Sequence, residues 1–262
     1  MSSADLHTLD YGTSGPRVIL CHGLFGQGRN WNTIARSLSD AYRVMAVDLP
    51  NHGRSAWTAR IDYAEMADQV AALVPADDPV ALVGHSMGGK VAMALALRRP
   101  ELVERLCVVD IAPVDYAGGG DFGRYIDAMQ AMDLSAIKTR DDAEAAMAEA
   151  APEPGVRAFL LQNLRREGAG WRWQANLDVI KRDLGRLGGW PAELADATPY
   201  EGPVLWMAGE TSGYITGEAT SAMRRSFPRV RKVTVRGAGH WVHSDQPATF
   251  LEILRAFLTS QA

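Results

Sequence analysis

One stretch constrains the fold of this chain more than any other. An apolar run, Val80 to His85, leads into Gly84-His85-Ser86-Met87-Gly88, and a helical pattern from Met87 to Arg99 leads out. It stops before Pro100, which cannot continue a helix. A strand that turns directly into a helix needs small residues two before and two after the residue at its apex, whose own backbone is strained. Gly84 and Gly88 meet that need and leave the Ser86 hydroxyl at the carboxyl end of a sheet, where open α/β sheets bind ligands. The bland alternative is a glycine-rich turn that happens to carry a serine.

The rest of the chain reads as βα units. Val18 to His22, Arg43 to Asp48 and Leu106 to Ile111 are further Val-, Leu- and Ile-rich runs without polar alternation, as expected of parallel strands covered on both faces. Helical faces lie between them: Trp31, Ile34, Ala35 and Leu38 in one, Tyr63, Met66, Ala67, Val70 and Leu73 in another. Asp62 and Glu65 predict a capping box for the second. Together they imply an α/β fold with a doubly wound, mostly parallel sheet. The rhythm breaks after Ile111 with the flexible run Gly118-Gly119-Gly120, helical patterns around Arg124 to Met132, Asp141 to Ala150 and Val156 to Arg165, and a region bearing Trp171, Trp173 and Trp190. It resumes with strands at Pro203 to Gly209 and Arg231 to Arg236 and a closing helix from Pro247 to Leu258. The expected division is a core of residues 1–111 and 201–262 with a helical cap at 112–200.

Composition narrows the function classes. A net charge of −4 and a pI near 5.9 argue against a nucleic-acid binder, which needs a basic face. Apolar runs such as Val91 to Leu97 fall far short of the ~20 residues that span a bilayer, so no membrane span is expected. The start, Met1 to Asp5, has neither a basic nor an apolar leader region, which leaves the cytoplasm as the expected compartment. Cys21 and Cys107 fall in strands that the Ser86 strand should separate, about twice the ~4.8 Å strand spacing apart, so both are expected to be free buried thiols.

A serine hydroxyl is a weak nucleophile until a base takes its proton. His240, in Gly237-Ala238-Gly239-His240, follows the last strand and so stands at the same sheet edge as Ser86, 154 residues away. His240 and His243 could form a metal pair, but no third ligand stands nearby. His85 points away from the elbow, and His7 and His52 read as loop or surface groups. Gly84 to Lys90 also nearly matches a phosphate-binding loop, except that Val91 stands where a magnesium-holding Ser or Thr is required. Gly23, Gly26 and Gly28 are in the wrong order for a dinucleotide fingerprint. His22 to Gly26 follows a strand end and can offer backbone N–H groups; Leu24, with Met87 behind the serine, is the expected oxyanion hole, and His22 a loop-fixing partner. For the acid that orients the histidine, Asp110, Glu210 and Asp115 are the candidates. Asp110 ends an apolar strand beside the elbow strand, where an aspartate is costly to bury without a partner. Glu210 is the only carboxylate in the loop after the Pro203 strand, which carries Ser212 where an aspartate would be expected, and Asp115 lies past Pro113 in the cap hinge.

His22 to Gly26, Asp48-Leu49-Pro50-Asn51-His52-Gly53-Arg54-Ser55, Gly84 to Lys90, Asp110 to Tyr116 and Gly237 to His243 together resemble the YbfF/ABHD11-type esterases of the α/β-hydrolase superfamily. The likeness runs through nearly the whole chain and is weakest in the insertion; Leu49-Pro50 departs from it, since similar enzymes often carry a basic residue there. It implies an α/β-hydrolase fold with about eight strands and a helical cap. It also implies cofactor-free hydrolysis of esters or thioesters, acyl-CoA among them, and supports a triad of Ser86, His240 and Asp110. No metal, nicotinamide or flavin is called for. Carbon–carbon hydrolysis and a low-turnover ligand receptor are the alternatives on the same fold. The cap is expected to cover an acyl pocket, its Trp, Phe and Leu side chains either giving the pocket an apolar wall or only packing the cap core. From Arg157 to Arg186 it carries seven basic residues against three acidic ones, which would suit an anionic leaving group unless it is simply a solvated face.

Overall fold

Strands whose residues alternate between two apolar layers organise the molecule. In the computed structural model, which describes residues 6–116, 121–168 and 170–260, nine strands form: β1 (Thr8–Tyr11), β2 (Arg17–Cys21), β3 (Arg43–Val47), β4 (Val80–His85), β5 (Val103–Val109), β6 (Leu164–Glu167), β7 (Gly170–Trp173), β8 (Val204–Gly209) and β9 (Val230–Val235). Met1 to Asp5 and the Gly118 to Gly120 run lie outside the described residues. The helices are α1 (Asn32–Leu38), α2 (Tyr63–Ala71), α3 (Met87–Arg98), α4 (Phe122–Ala131), α5 (Arg140–Met147), α6 (Pro154–Leu161), α7 (Leu177–Arg182), α8 (Leu184–Gly188), α9 (Gly217–Ser226), α10 (Val242–Asp245) and α11 (Pro247–Thr259).

Seven strands make the main sheet, in the order β1-β3-β2-β4-β5-β8-β9; only β1 runs antiparallel. The resemblance implied about eight. The chain reverses its direction of travel across the sheet between β2 and β4, and this switch point opens a crevice at the carboxyl edge. Val80 and Leu82 face the layer built with α2 and α3, whereas Ala81 and Val83 face the layer of α1 and α11. Cys21 and Cys107 divide in the same way, onto opposite faces with β4 between them. Both are free, and burial pushes the Cys21 thiol up to about 12 and the Cys107 thiol upward as well.

Two local expectations change. Asp62 does cap α2, accepting from the N–H groups of Ala64 and Glu65 at 3.0 and 3.1 Å. The Glu65 carboxylate does not close the box, because it pairs with Arg60. The start of the tryptophan- and arginine-bearing stretch is not helical: β6 and β7 form an antiparallel hairpin in which Arg166 faces Trp171 and its guanidinium lies 4.3 Å from that ring. The alternation of Trp171-Arg172-Trp173 is the period-2 signal for it.

Buried polar side chains join the helical insertion to the core. Asn163, fully buried, donates to the carbonyl of Phe25 at 2.8 Å and accepts from the Gln27 amide at 3.0 Å. Asn176 reaches Asn51 through both backbone and side chain. Lys90, the lysine of the phosphate-loop near-match, donates to the carbonyls of Val114, Gly188 and Gly189 at 3.0, 2.7 and 2.6 Å. Its donors are thus occupied by the two ends of the insertion, not left for a phosphate. Among the described residues no helix is long and apolar enough to cross a membrane. Replacing Asn163 with Leu strands the buried Gln27 amide, a loss of about 1–3 kcal/mol, and leaves the Phe25 carbonyl to the Gln162 amide alone. Urea unfolding of Asn163→Leu is therefore expected to show a midpoint well below that of the wild type.

Candidate active site

The strand-to-helix turn has the tightness its glycines require. A Cβ on Gly84 would stand 2.2 Å from the Gly88 carbonyl oxygen, and one on Gly88 would stand 2.5 Å from the carbonyl oxygens of Cys21 and His22. Ser86, at φ 51° and ψ −118°, is N-terminal to α3 and lines a cavity of about 300 Å³. The non-glycine residues with positive φ among those described are Phe25, Asn51, Ser86 and Asp110. They lie just beyond the carboxyl ends of β2, β3, β4 and β5, so the strained backbone is gathered on one edge of the sheet.

Asp110 follows β5 and is fully buried. Its N–H donates to the Met207 carbonyl at 2.8 Å, and its Oδ1 accepts the Gly209 N–H at 2.9 Å. Its Oδ2 lies 2.8 Å from His240 Nδ1 and also accepts the Ser212 hydroxyl. A carboxylate only accepts, so Nδ1 carries the proton and Nε2 is left as the basic nitrogen. The Tyr214 ring stacks on the imidazole, 4.1 Å between centroids and 19° from parallel. His85, next to Ser86, turns away from the serine and donates from Nε2 to the His240 carbonyl at 2.8 Å. It thereby fastens the His240 loop to the elbow.

The other carboxylates are placed elsewhere. Glu210 is exposed and accepts the Gly237 N–H at 2.9 Å. Asp115 accepts the Trp190 N–H, joining the two ends of the insertion beside Lys90. Burial pushes the Lys90 ammonium down to about 7, with Asp115 opposing. Gly23 packs against the elbow, its hypothetical Cβ only 3.2 Å from Ser86 Cβ, which brings the Leu24 loop alongside the serine. Among the described residues neither the Leu24 nor the Met87 N–H donates to a protein acceptor. His22 fixes this loop: Nδ1 meets the Gly23 carbonyl at 2.7 Å, and Nε2 accepts the Leu49 N–H at 2.9 Å.

One histidine expectation needs amendment. His52 is in a loop but fully buried, its Nδ1 2.9 Å from the Pro50 carbonyl. His243 does not converge with His240; it stacks on Trp31 at 4.3 Å while His240 turns to Asp110. Of the Trp, Phe and Leu side chains weighed for the cavity wall, Phe and Leu are found there. Phe122, Leu184 and Leu187 from the insertion meet Leu24, Met87 and Tyr214, but no tryptophan lines it. Trp171, Trp173 and Trp190 pack against the core layer instead. Ser212 and Tyr214 are the site residues that sequence reading did not assign; the serine in the position of an expected aspartate was the signal.

A model described as the Alpha/beta hydrolase family matches residues 18–253. The chain belongs to this family. Within it, the chain is similar to the sn-1-specific diacylglycerol lipase ABHD11 of Mus musculus, 39% identical over 258 residues, covering 95% of this chain and 83% of the relative. It is likewise similar to Esterase YbfF of Escherichia coli K12, 32% identical over 243 residues and covering 92% of each. A solved structure described as a marine microorganism esterase superimposes with a TM-score of 0.92 at 33% identity, covering 97% of this chain and 99% of that one. The family branch is therefore the ABHD11/YbfF type.

Four histidines of this α/β hydrolase are held neutral by burial. His52 and His243 are pushed down to about 3, and His22 and His85 are also lowered. In the unfolded chain they titrate near 6.5. As the pH falls below that value the unfolded state takes up protons that the fold refuses, so stability is lost from about 6.5 down towards 3. The urea midpoint is expected to fall between pH 7 and pH 5, and less steeply in His243→Phe, which removes one such group. Equal pH slopes in the two proteins would contradict the assignment.

Proposed function

We propose that Ser86 attacks the carbonyl of a carboxylic ester, with His240 as base and Asp110 as the acid that orients it. The enzyme is a serine hydrolase of the ABHD11/YbfF esterase type. The observation that carries the residue assignment is the 2.8 Å contact between His240 Nδ1 and the buried Asp110 carboxylate, beside an elbow serine that opens onto an apolar cavity. In this reading His240 Nε2 takes the Ser86 proton, and the N–H groups of Leu24 and Met87 receive the oxyanion. The imidazolium, stabilised by Asp110, then protonates the leaving group, and water activated by His240 releases the acyl chain. Each step uses this chain's own side chains, the two backbone N–H groups and water.

The cavity of about 300 Å³ is at the small end of ligand sites and fits small to medium acyl groups. Relatives named as a diacylglycerol lipase and an esterase support an ester with an alcohol leaving group. Acyl-CoA draws less support. Arg157, Arg172, Lys181 and Arg182, four of the seven basic residues of that stretch, pair with Glu144, Glu167, Asp127 and Asp183, so much of the local positive charge is already neutralised. We also propose residues 1–111 and 201–262 as the core and 112–200 as the cap. The cytoplasm is retained as the proposed compartment, which the two free thiols suit.

A small nitrophenyl ester and a fluorophosphonate probe test the reading together. Turnover with labelling at Ser86 is expected; labelling without turnover would favour carbon–carbon hydrolysis or a receptor, and no labelling would exclude an activated serine. Ser86→Ala is expected to lose activity by a factor on the order of 10⁶ in kcat while keeping its fold. Asp110→Asn should lose roughly 10³–10⁴ in kcat, and Glu210→Gln should lose little. The reverse pattern would move the acid to the loop after β8.

A further inference from the structure

Two side chains of the core hold one end of the insertion, and they hold it by its backbone. The last carbonyls of a helix such as α8 have no partner within the helix itself. Tyr63 of α2 donates its hydroxyl to the Leu187 carbonyl at 2.8 Å, and Lys90 of α3 donates to those of Gly188 and Gly189 at 2.7 and 2.6 Å. The third Lys90 bond, to Val114 at 3.0 Å, ties in the other end of the insertion. An ammonium has three N–H donors, so none is left for a substrate. The Tyr63 and Tyr116 rings lie 5.7 and 5.0 Å from Nζ and leave the side chain buried. Lys90 is also one helical turn from Ser86, its N–H donating to the Ser86 carbonyl at 3.1 Å, and both residues line the cavity. Leu184, Leu187 and Gly188 of α8 line it too. The distance from the serine's helix to the α8 wall is therefore set by one lysine side chain, a four-carbon stem whose tip is fixed.

We propose that Lys90 is a specificity-determining residue of the hydrolase: it sets the width of the acyl cavity, which thereby takes esters of unbranched, apolar acyl groups and rejects branched or cyclic ones. This rests on Ser86 as the nucleophile of an ester hydrolase. The width follows from the three bonds at Nζ, which stop α8 from drawing back when a bulkier group enters. The apolar preference follows from the same saturation. Lys90 has no donor free, the Tyr63 hydroxyl is given to Leu187, and the Tyr116 hydroxyl is given to the Tyr214 carbonyl at 3.1 Å. A polar acyl group would thus enter a cavity of about 300 Å³ and find these three groups already paired.

The experiment compares kcat/KM of the full chain on nitrophenyl hexanoate and nitrophenyl cyclohexanecarboxylate for the wild type, Lys90→Met and Tyr63→Phe, each checked for folding by circular dichroism. Differences in the esters' own reactivity cancel when their ratio is compared between proteins. The wild type is expected to favour the straight chain roughly a hundredfold. Lys90→Met keeps an unbranched stem but no donors, and should bring that ratio down about tenfold. Tyr63→Phe releases only the Leu187 carbonyl, leaves the Lys90 bonds in place and should lower the ratio about threefold. A variant that is only less stable would slow both esters alike and leave the ratio where it was. An unchanged ratio in folded Lys90→Met would overturn the inference, as would a wild type that turns over both esters equally well. If Lys90→Met does not fold, an unchanged ratio in Tyr63→Phe overturns it in the same way. Failure of the ester hydrolase reading looks different: neither ester is turned over by the wild type, a fluorophosphonate leaves Ser86 unlabelled, and the inference falls with it.

Discussion

Where β4 turns into α3 the backbone is packed so closely that no side chain fits on either flank of Ser86, and the rest of the site depends on that crowding. Gly84 lies against Gly88, Gly88 lies against the last carbonyls of β2, and Gly23 lies against Ser86 itself. Ser86, the start of α3 and the loop carrying Leu24 are therefore placed by backbone contact at the switch point of the sheet, with no long side chain whose rotamers could blur them. A left-handed conformation at a non-glycine residue costs about 1–2 kcal/mol. Burial of every residue of α3 from Met87 to Leu97 offsets that cost many times over, at roughly 1.5–3 kcal/mol for each large apolar side chain. The strain can persist because the helix that follows it is among the best-packed parts of the molecule.

The insertion takes part in the same construction. Phe25, another residue with positive φ, has its carbonyl held by Asn163 and Gln162 of the insertion. Lys90, one turn along α3 from Ser86, holds the carbonyls of Val114, Gly188 and Gly189. The segment that walls the acyl cavity is thus hydrogen-bonded both to the loop beside the serine and to the serine's own helix. Those bonds lie in places where an unpaired amide or carbonyl would be expensive. An insertion held this way is a fixed wall of the cavity, and its Phe122, Leu184 and Leu187 shape the space the acyl group meets.

Much of this was legible in the sequence because the decisive signals are local. Apolar runs without polar alternation marked the parallel strands, and the glycines on either side of Ser86 marked the elbow. Chain order put His240 at the same edge, and the expense of burying Asp110 in an apolar strand called for a partner that His240 supplies. What escaped depended on contacts remote in sequence. Nothing local distinguishes the buried His52 from a surface loop histidine, because its burial is made by segments far along the chain. Glu65 has the spacing of a capping box, yet Arg60, five residues earlier, competes for its carboxylate. The β6–β7 hairpin hides in a short stretch with two strands of four residues each, too brief for a period-2 pattern to dominate. Sequence left its tryptophans open between the pocket and the packed core, and their contacts in the fold place them in the latter.

The position of the acid has a consequence for the cavity. Asp110 ends β5, the immediate neighbour of the elbow strand, and its backbone bonds to Met207 of β8 while its carboxylate takes the Gly209 amide. Two strands therefore fix the carboxylate before His240 arrives, and the Trp206 indole reinforces the same corner by donating to the Ile111 carbonyl at 2.8 Å. With Asp110 at the end of β5 as the proposed acid, the loop after β8 is not required to project a carboxylate. Its residues Gly213 and Tyr214 can line the acyl cavity instead, with the tyrosine ring lying flat on the imidazole. That stacked ring limits how far the imidazole can swing and shields one of its faces from water, so His240, the proposed base, is confined by a neighbour that also forms part of the cavity wall. Substrate shape and the orientation of the base are in this way coupled through one short turn, which the same loop could not provide if it had to carry the acid as well.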